Sequence, residues 1–321
     1  MIQLDVKDKK ILYELDIDAR QPDSEIARKV KLSREVVAYR INRLINKGII
    51  RNFVTILNHH ALGYWAFRIF FKFRDLSAEK EKEIVDFLKD KVAWLVRVRG
   101  VWSFNCMIFT KDIFSLEETL NKFRQQFYDI FVDMRMSIIT RIYHYRRGYI
   151  LNKDKDESEY DVMGKVVRPP KLDETDHKIL DVIQNNARLT SMEISQKLKI
   201  SERMVRYRVK NLINSEVILG FRSLLDLGKL GLSYFKVHFK LKRYTPEILK
   251  KISGYAHLHP HIVYKTETVG GSDLELELQY PTSKELYNFL DKFIQHFPGI
   301  IEDYEILEYD KEYKLSYLNV L

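Results

Sequence analysis

Residues 32–50 read LSREVVAYRINRLINKGII and residues 200–218 read ISERMVRYRVKNLINSEVI. The similarity is not confined to those phrases. At a constant offset (172 − 4 = 168), positions 4–72 and 172–240 are identical at 27 of 69 places. One recurrence at so long a period means two tandem copies of a whole folding unit, not a solenoid of short repeats. A chain of 321 residues gives each copy room for its own core.

Each copy begins with three helical patterns. In the first copy the first two cover about 5–17 and 23–30, and the third starts at Ser33. Ile11, Leu12 and Leu15 share a face of the first, and the second is entered through Pro22. Ser33 is a good N-cap for the third, whose Val37, Ile41, Leu44 and Ile45 fall on one helical face. Gly48 suits its C-terminal turn, and a short strand follows. Three short helices and a strand describe a winged helix-turn-helix, whose third helix enters the major groove. That makes Ser33, Arg34, Glu35, Ala38, Tyr39, Arg40, Asn42, Arg43 and Lys47 candidate DNA contacts. In the second copy the candidates are Ser201, Glu202, Arg203, Arg206, Tyr207, Arg208, Lys210 and Asn211. Arg and Asn match the edges of guanine and adenine, while Arg40 and Lys47 suit phosphates.

After Gly63 the apolar period changes to two. Trp65, Phe67, Ile69, Phe71 and Phe73 alternate with Ala66, Arg68, Phe70, Lys72 and Arg74, predicting a strand with one strongly buried face. Helix, two strands around a turn, helix and final strand complete a βαββαβ, ferredoxin-like order in both copies. The expected fold is therefore α+β: a tandem duplication of a winged helix-turn-helix followed by a ferredoxin-like domain. The expected divisions are 1–60, 61–151, a polar linker at 152–171 ending in Pro169-Pro170, 172–228 and 229–321. Two such sheets can cover each other, so the chain is expected to be an intrachain pseudo-dimer, with further homo-oligomers open to it.

The formal net charge of +9 fits a polyanionic partner. It is uneven: residues 1–168 hold 32 basic and 24 acidic side chains, and the rest hold 54 − 32 = 22 and 45 − 24 = 21. Cys106, the only cysteine, excludes internal disulfides and Cys-based zinc sites. The most apolar stretch, YWAFRIFFKF, carries Arg68 and Lys72 and is too short to span a bilayer. A cytoplasmic protein is expected, with no membrane contact. His257, His259 and His261 alternate around Pro260 without acidic or Cys partners, so no metal and no cofactor are expected, and no catalytic motif stands out.

The opening Leu4-Asp5-x-x-Asp8, then Leu32-Ser33, Val37, Arg40-Ile41, Leu44, Gly48-Ile49-Ile50 and Leu62-Gly63, resemble the Lrp/AsnC (feast/famine) transcription regulators. Leu172-Asp173-x-x-Asp176, Ile200-Ser201, Val205, Arg208-Val209, Leu212 and Leu230-Gly231 repeat the resemblance. It implies double-stranded DNA as partner and a small effector, such as an amino acid, near a Gly-x-x-Asp turn. Copy two keeps that turn as Gly270, Gly271, Ser272 and Asp273; copy one has Gly100-Val101-Trp102-Ser103 and lacks the acid. The siroheme decarboxylases are similar in build, and 102–107 resembles their segment, so an enzyme on this fold is one alternative. An architectural DNA-coating protein without an effector is another. Basic third helices in both copies favour the regulator, and their differing outward residues predict an asymmetric operator with two unlike half-sites.

Overall fold

The computed structural model describes residues 4–164, 169–184 and 186–316. Helices α1 (Val6–Ile17), α2 (Asp23–Val30) and α3 (Arg34–Asn46) precede strand β1 (Ile50–Leu57). The Leu-Asp-x-x-Asp motif explains how this bundle starts. Asp5 accepts the Asp8 amide at 2.7 Å and Asp8 accepts the Asp5 amide at 3.3 Å, a reciprocal cap of α1. Gly48 stands at φ +67 beyond α3, where its amide and that of Ile49 close the helix onto Ile45 and Leu44.

The first sheet unit has β2 (Trp65–Phe73), α4 (Ala78–Leu88), β3 (Trp94–Arg99), β4 (Phe104–Thr110), α5 (Ile113–Gln126) and β5 (Phe131–His144). A short strand, β6 (Asp161–Met163), pairs with β5. Copy two repeats the plan with α6 (Glu174–Ile183), α7 (Ser191–Leu198), α8 (Glu202–Asn214) and β7 (Ile218–Leu225). It continues with β8 (Ser233–Leu241), α9 (Pro246–Leu258), β9 (Ile262–Val269), β10 (Leu274–Tyr280), α10 (Ser283–His296) and β11 (Ile301–Leu315).

The two sheet units join into one ring. Strands run β2-β4-β3-β11-β8-β10-β9-β5, and β5 also pairs with β2. The long strands β5 and β11 make both joints, because each pairs with its own sheet early and with the other copy's edge later. No ladder edge is left open at either joint. Outside the ring, α4 and α5 cover Phe67, Ile69 and Phe71, and α9 and α10 cover Phe235, Val237 and Phe239.

The winged units pair through β1 and β7 with a local two-fold. Val54 lies opposite Arg222, its own counterpart at +168, with Phe53 opposite Ser223 and Thr55 opposite Phe221. Equivalent bonds flank the axis: Ala19 to Phe221 and Ala187 to Phe53, each 2.9 Å from amide to carbonyl.

Three expectations need correction. Trp65, placed on the strongly buried face of β2, is exposed at the strand start, while Ala66, Arg68 and Phe70 of the second face are buried under the other sheet. Segment 152–171 is not a free tether where it is described. Asp156 is buried against Tyr13 at 2.7 Å, and β6 extends the sheet. Ile45 is 39% exposed and its counterpart Ile213 42%, so the third-helix core is narrower than the apolar pattern suggests.

Candidate nucleic-acid interface

Both third helices start on a serine cap. Ser33 Oγ accepts the Val36 amide at 3.3 Å, and Ser201 Oγ accepts the Met204 amide at 3.2 Å. Their hydroxyls thus have structural employment. Arg34, Glu35, Tyr39, Asn42 and Lys47 of copy one are exposed, as are Arg203, Arg206, Tyr207, Lys210 and Asn211 of copy two; Ala38 and Glu202 are half-buried. Tyr39 and Tyr207 are 66% and 63% exposed, an unusual position for rings with no packing role.

Three of the expected contacts turn inward. Arg40 Nη1 lies 2.6 Å from Asp5 and 2.8 Å from Asp8, and Arg43 Nη2 lies 2.5 Å from Asp8. Arg208 repeats the first arrangement, 2.7 Å from Asp173 and 3.2 Å from Asp176. The aspartates therefore cap α1 and clamp the third helix against it. Arg40 holds the Asp5 carboxyl below its ordinary range by hydrogen bond and charge. Asn211 replaces Arg43 in copy two, so α8 keeps one clamp where α3 has two. The surplus charge of the first half consequently does not sit on its reading helix. Outward cations are Arg34 on α3 and Lys47 just beyond its end, against Arg203, Arg206 and Lys210 on α8, of which Arg206 pairs with Glu202 at 2.7 Å.

The first copy matches the AsnC-type helix-turn-helix domain over residues 4–45, and the second matches the winged helix-turn-helix DNA-binding family over residues 172–218. One half of the chain is 33% identical over 132 residues to the HTH-type transcriptional regulator FL11 of Pyrococcus horikoshii, covering 40% of this chain and 83% of that protein. The chain belongs to the Lrp/AsnC family. It is a DNA-binding transcription regulator. The regulator LysM of Saccharolobus solfataricus is 34% identical over 130 residues, covering 40% of this chain and 88% of its own. Each relative thus matches one copy of a doubled regulator. The siroheme decarboxylase NirDL shares the doubled fold (TM-score 0.64, 98% of this chain and 94% of that one) at 15% identity, a likeness of fold alone.

The turn expected to hold an effector is structurally occupied. Asp273 Oδ2 accepts the Leu241 amide at 2.8 Å, tying the hairpin to β8. Gly270 takes φ +78, and a Cβ on Gly271 would lie 2.5 Å from Thr268 Oγ1. Copy one preserves the latch without the acid: Ser103 Oγ accepts the Phe73 amide at 3.1 Å. Trp102 is buried beside Phe70, with Arg135 over its ring.

Sequence periodicity missed a polar interior between the sheets. Lys236, fully buried, lies 2.6 Å from Glu275 and 3.1 Å from Glu277, and Arg68 approaches Glu277 at 3.6 Å. Burial pushes the Glu275 carboxyl up, but Lys236, His238 and Arg68 bring it down to about 2. Arg68 and Lys236 are equivalent positions, whereas both acids come from copy two; β4 of copy one holds Asn105 and Met107 beside them. Two identical first copies would bury two such arginines without a carboxylate, so the sheets have become complementary. A second cluster joins barrel and wings. Asp16, fully buried, takes Arg147 and, at 2.6 Å, Arg222, while Arg146 pairs with Asp161 at 3.0 Å. The only sequence trace of either cluster was a charge on an alternating strand. Among the described residues no helix is long and apolar enough to cross a membrane, and no group of His, Cys, Asp and Glu could hold a metal ion. Cys106 is buried, and burial pushes its thiol well up.

Proposed function

We propose that this regulator reads an asymmetric operator, one half-site through α3 and the other through α8. The observation that supports it is the outward faces of two helices related by a local two-fold. They share Tyr39 and Tyr207 but differ at Arg34-Glu35 against Glu202-Arg203, Ala38 against Arg206, and Asn42 against Lys210. A homodimer must present identical readers and so favours palindromes; fusion within one chain removes that constraint. Asn42 on one side, and Arg206 with Lys210 on the other, are assigned to base edges. Arg34, Arg203 and Lys47 are assigned to base edges or phosphates. Ser33, Ser201, Arg40, Arg43 and Arg208 hold the reading helices in place. Glu35 and Glu202, both in the first turn after the cap, fit either discrimination against anionic backbone or acceptance from cytosine.

The further parts of the reading are a small-molecule effector such as an amino acid, the sheet ring as a pseudo-dimer that assembles further, and action in the cytoplasm. Gly270, Gly271 and Asp273 form the candidate effector turn. The exposure of Gly271 and Asp273 supports it; the latch to Leu241 counts against it. Mapping of bound DNA across the genome tests the function. A sharp motif ahead of genes is expected, and uniform coverage without enrichment would overturn the operator reading.

A further inference from the structure

A cavity of about 490 Å³ opens where the ring meets the wings. That is within the size range of small-molecule sites. Its walls come from both copies: Arg51 of β1, residues 224–228 at and beyond the end of β7, and the ring interior with Arg68, His144 and Tyr309. Trp94, Tyr234, Tyr264 and Tyr309 give it flat aromatic sides. Tyr309 stands edge-on to both Trp94 and Tyr234, at 5.1 and 4.9 Å between ring centroids.

Two side chains lining it are unusual. His144 is 3% exposed, and neither ring nitrogen has a hydrogen-bond partner among the described residues. Arg68 is also 3% exposed, with Nε equally unpartnered. Buried polar groups are nearly always satisfied, and those that are not commonly face a ligand or water. The charge around His144 is also unbalanced. Among the described residues the carboxylates paired with Arg146, Arg147 and Arg222 are Asp16 and Asp161, which leaves one buried positive charge in excess beside the cavity that Arg147 lines; Nε and Nη1 of Arg222 find no partner among the described residues. Burial, reinforced by those three guanidinium groups, keeps the imidazole neutral, so it can donate one N–H.

The symmetry of the molecule sharpens the point. The positions equivalent to Asp16 and Arg222 are Gln184 and Val54, so this charge cluster beside the cavity exists once, off the two-fold. A cluster needed only to join wings to ring would serve both sides alike. Five carboxylates also line the cavity: Glu277, which shares Arg68 at 3.6 Å, Glu312, which pairs with Arg51 at 2.9 Å, and Asp226, Glu308 and Asp310, so the wall admits a single negative group, at the His144 end, and none further out.

We propose that this cavity binds a small organic monoanion with a planar apolar body, its acid group set against His144, Arg68 and Arg147 and its body between the aromatic walls. The anion balances the excess charge and satisfies the imidazole. An anion bound here is a second effector of the regulator, at a place distinct from the Gly270–Asp273 turn. The segment it would touch, 224–228, directly continues β7, whose pairing with β1 sets α3 against α8. Only this last, regulatory step rests on the DNA-binding reading.

The test uses the full-length protein and three indole probes of nearly equal shape: indole-3-acetate, the neutral indole-3-acetamide and the cationic tryptamine. Calorimetry is expected to give indole-3-acetate a Kd below about 1 mM, with the other two at least about tenfold weaker. With ¹⁵N-labelled histidine, the His144 ring signals should move on addition of indole-3-acetate. Arg68→Met should weaken binding at least about tenfold. In case that variant does not fold, Ser233→Trp fills the cavity from its wall without touching the interior charges, and should abolish binding while leaving the melting temperature unchanged. Binding undiminished in Ser233→Trp, equal binding of tryptamine, or an unmoved His144 signal at about 5 mM probe would overturn the proposal. Operator affinity measured on the same samples separates the two readings. DNA binding that persists without any probe binding removes the cavity proposal alone, whereas probe binding without specific DNA binding removes the regulatory step.

Discussion

Replacing Asp16 by asparagine isolates the ionic junction between wings and ring. The side chain keeps its shape but loses the charge that faces Arg147 and, at 2.6 Å, Arg222. Asp16 is fully buried, and the two arginines are 6% and 3% exposed, so water cannot replace the lost partner. Removing one member of a buried pair costs about 3–5 kcal/mol, chiefly as the uncompensated charge left behind. For a chain of this size that corresponds to a fall in Tm of about 4–7 °C. Acid pH provides an internal check. Burial raises the Asp16 carboxyl, but Arg222, Arg147 and Arg146 more than reverse this and bring it from 3.8 to about 2. A group depressed by folding adds stability that is fully present above its unfolded value and lost as pH falls through the folded one. The shift of 3.8 − 2 is worth about 2 kcal/mol, to be lost between about pH 5 and pH 2. Asp16→Asn cannot lose it. Urea denaturation across that range should therefore show a gap at pH 7 that narrows as the pH falls. A loss under about 1 kcal/mol at pH 7, or parallel curves down to pH 2, would refute the junction as drawn.

Other outcomes follow from the same geometry. Arg43→Ala should destabilise the first winged unit by about 1–2 kcal/mol in denaturant, because it removes a charged hydrogen bond to the buried Asp8. Glu216 takes φ +54 where copy one has Gly48 at +67. Glu216→Gly should therefore leave Tm unchanged or slightly higher, and Gly48→Ala should lower stability by about 1 kcal/mol. Ser103→Ala and Asp273→Ala each remove one latch to a strand amide and should cost about 1 kcal/mol apiece, with operator preference unaltered. On DNA, Asn42→Ala should relax base preference by about 1–3 kcal/mol in one half-site only, and Arg206→Ala in the other, read by competition binding with single-base variants.

The repeat, the helix caps and the change from helical to two-residue period carried most of the fold. They depend on neighbours close in sequence, and Ser33, Thr245-Pro246 and Gly48 mark element ends by local chemistry alone. What lay across the molecule was not legible. An alternating strand shows that one face is buried, and the repeat that a second sheet is at hand to cover the other, but not which charges then meet, so the pairing of Arg68 and Lys236 with Glu275 and Glu277 inside the ring was not legible. The aspartates of the opening motif carried the family likeness, yet their hold on Arg40, Arg43 and Arg208 required α1 to be laid against the third helices. For the same reason three of the expected DNA contacts, Arg40, Arg43 and Arg208, were not recognised as partners of those aspartates. A polar residue off the apolar face is free to meet DNA only when no neighbouring helix claims it. His144 and Arg147 drew no notice because nothing near them in sequence identifies the cavity they line.

Selection from a random duplex library by the full-length protein bears most directly on the central idea, that fusion made two different readers of one ancestral reader. The predicted result is a bipartite consensus of two unlike halves, with half-site centres about one helical turn or a multiple of it apart. Asn42→Ala should blur one half and Arg206→Ala the other. A perfect palindrome, or a pool with no enriched sequence, would contradict it.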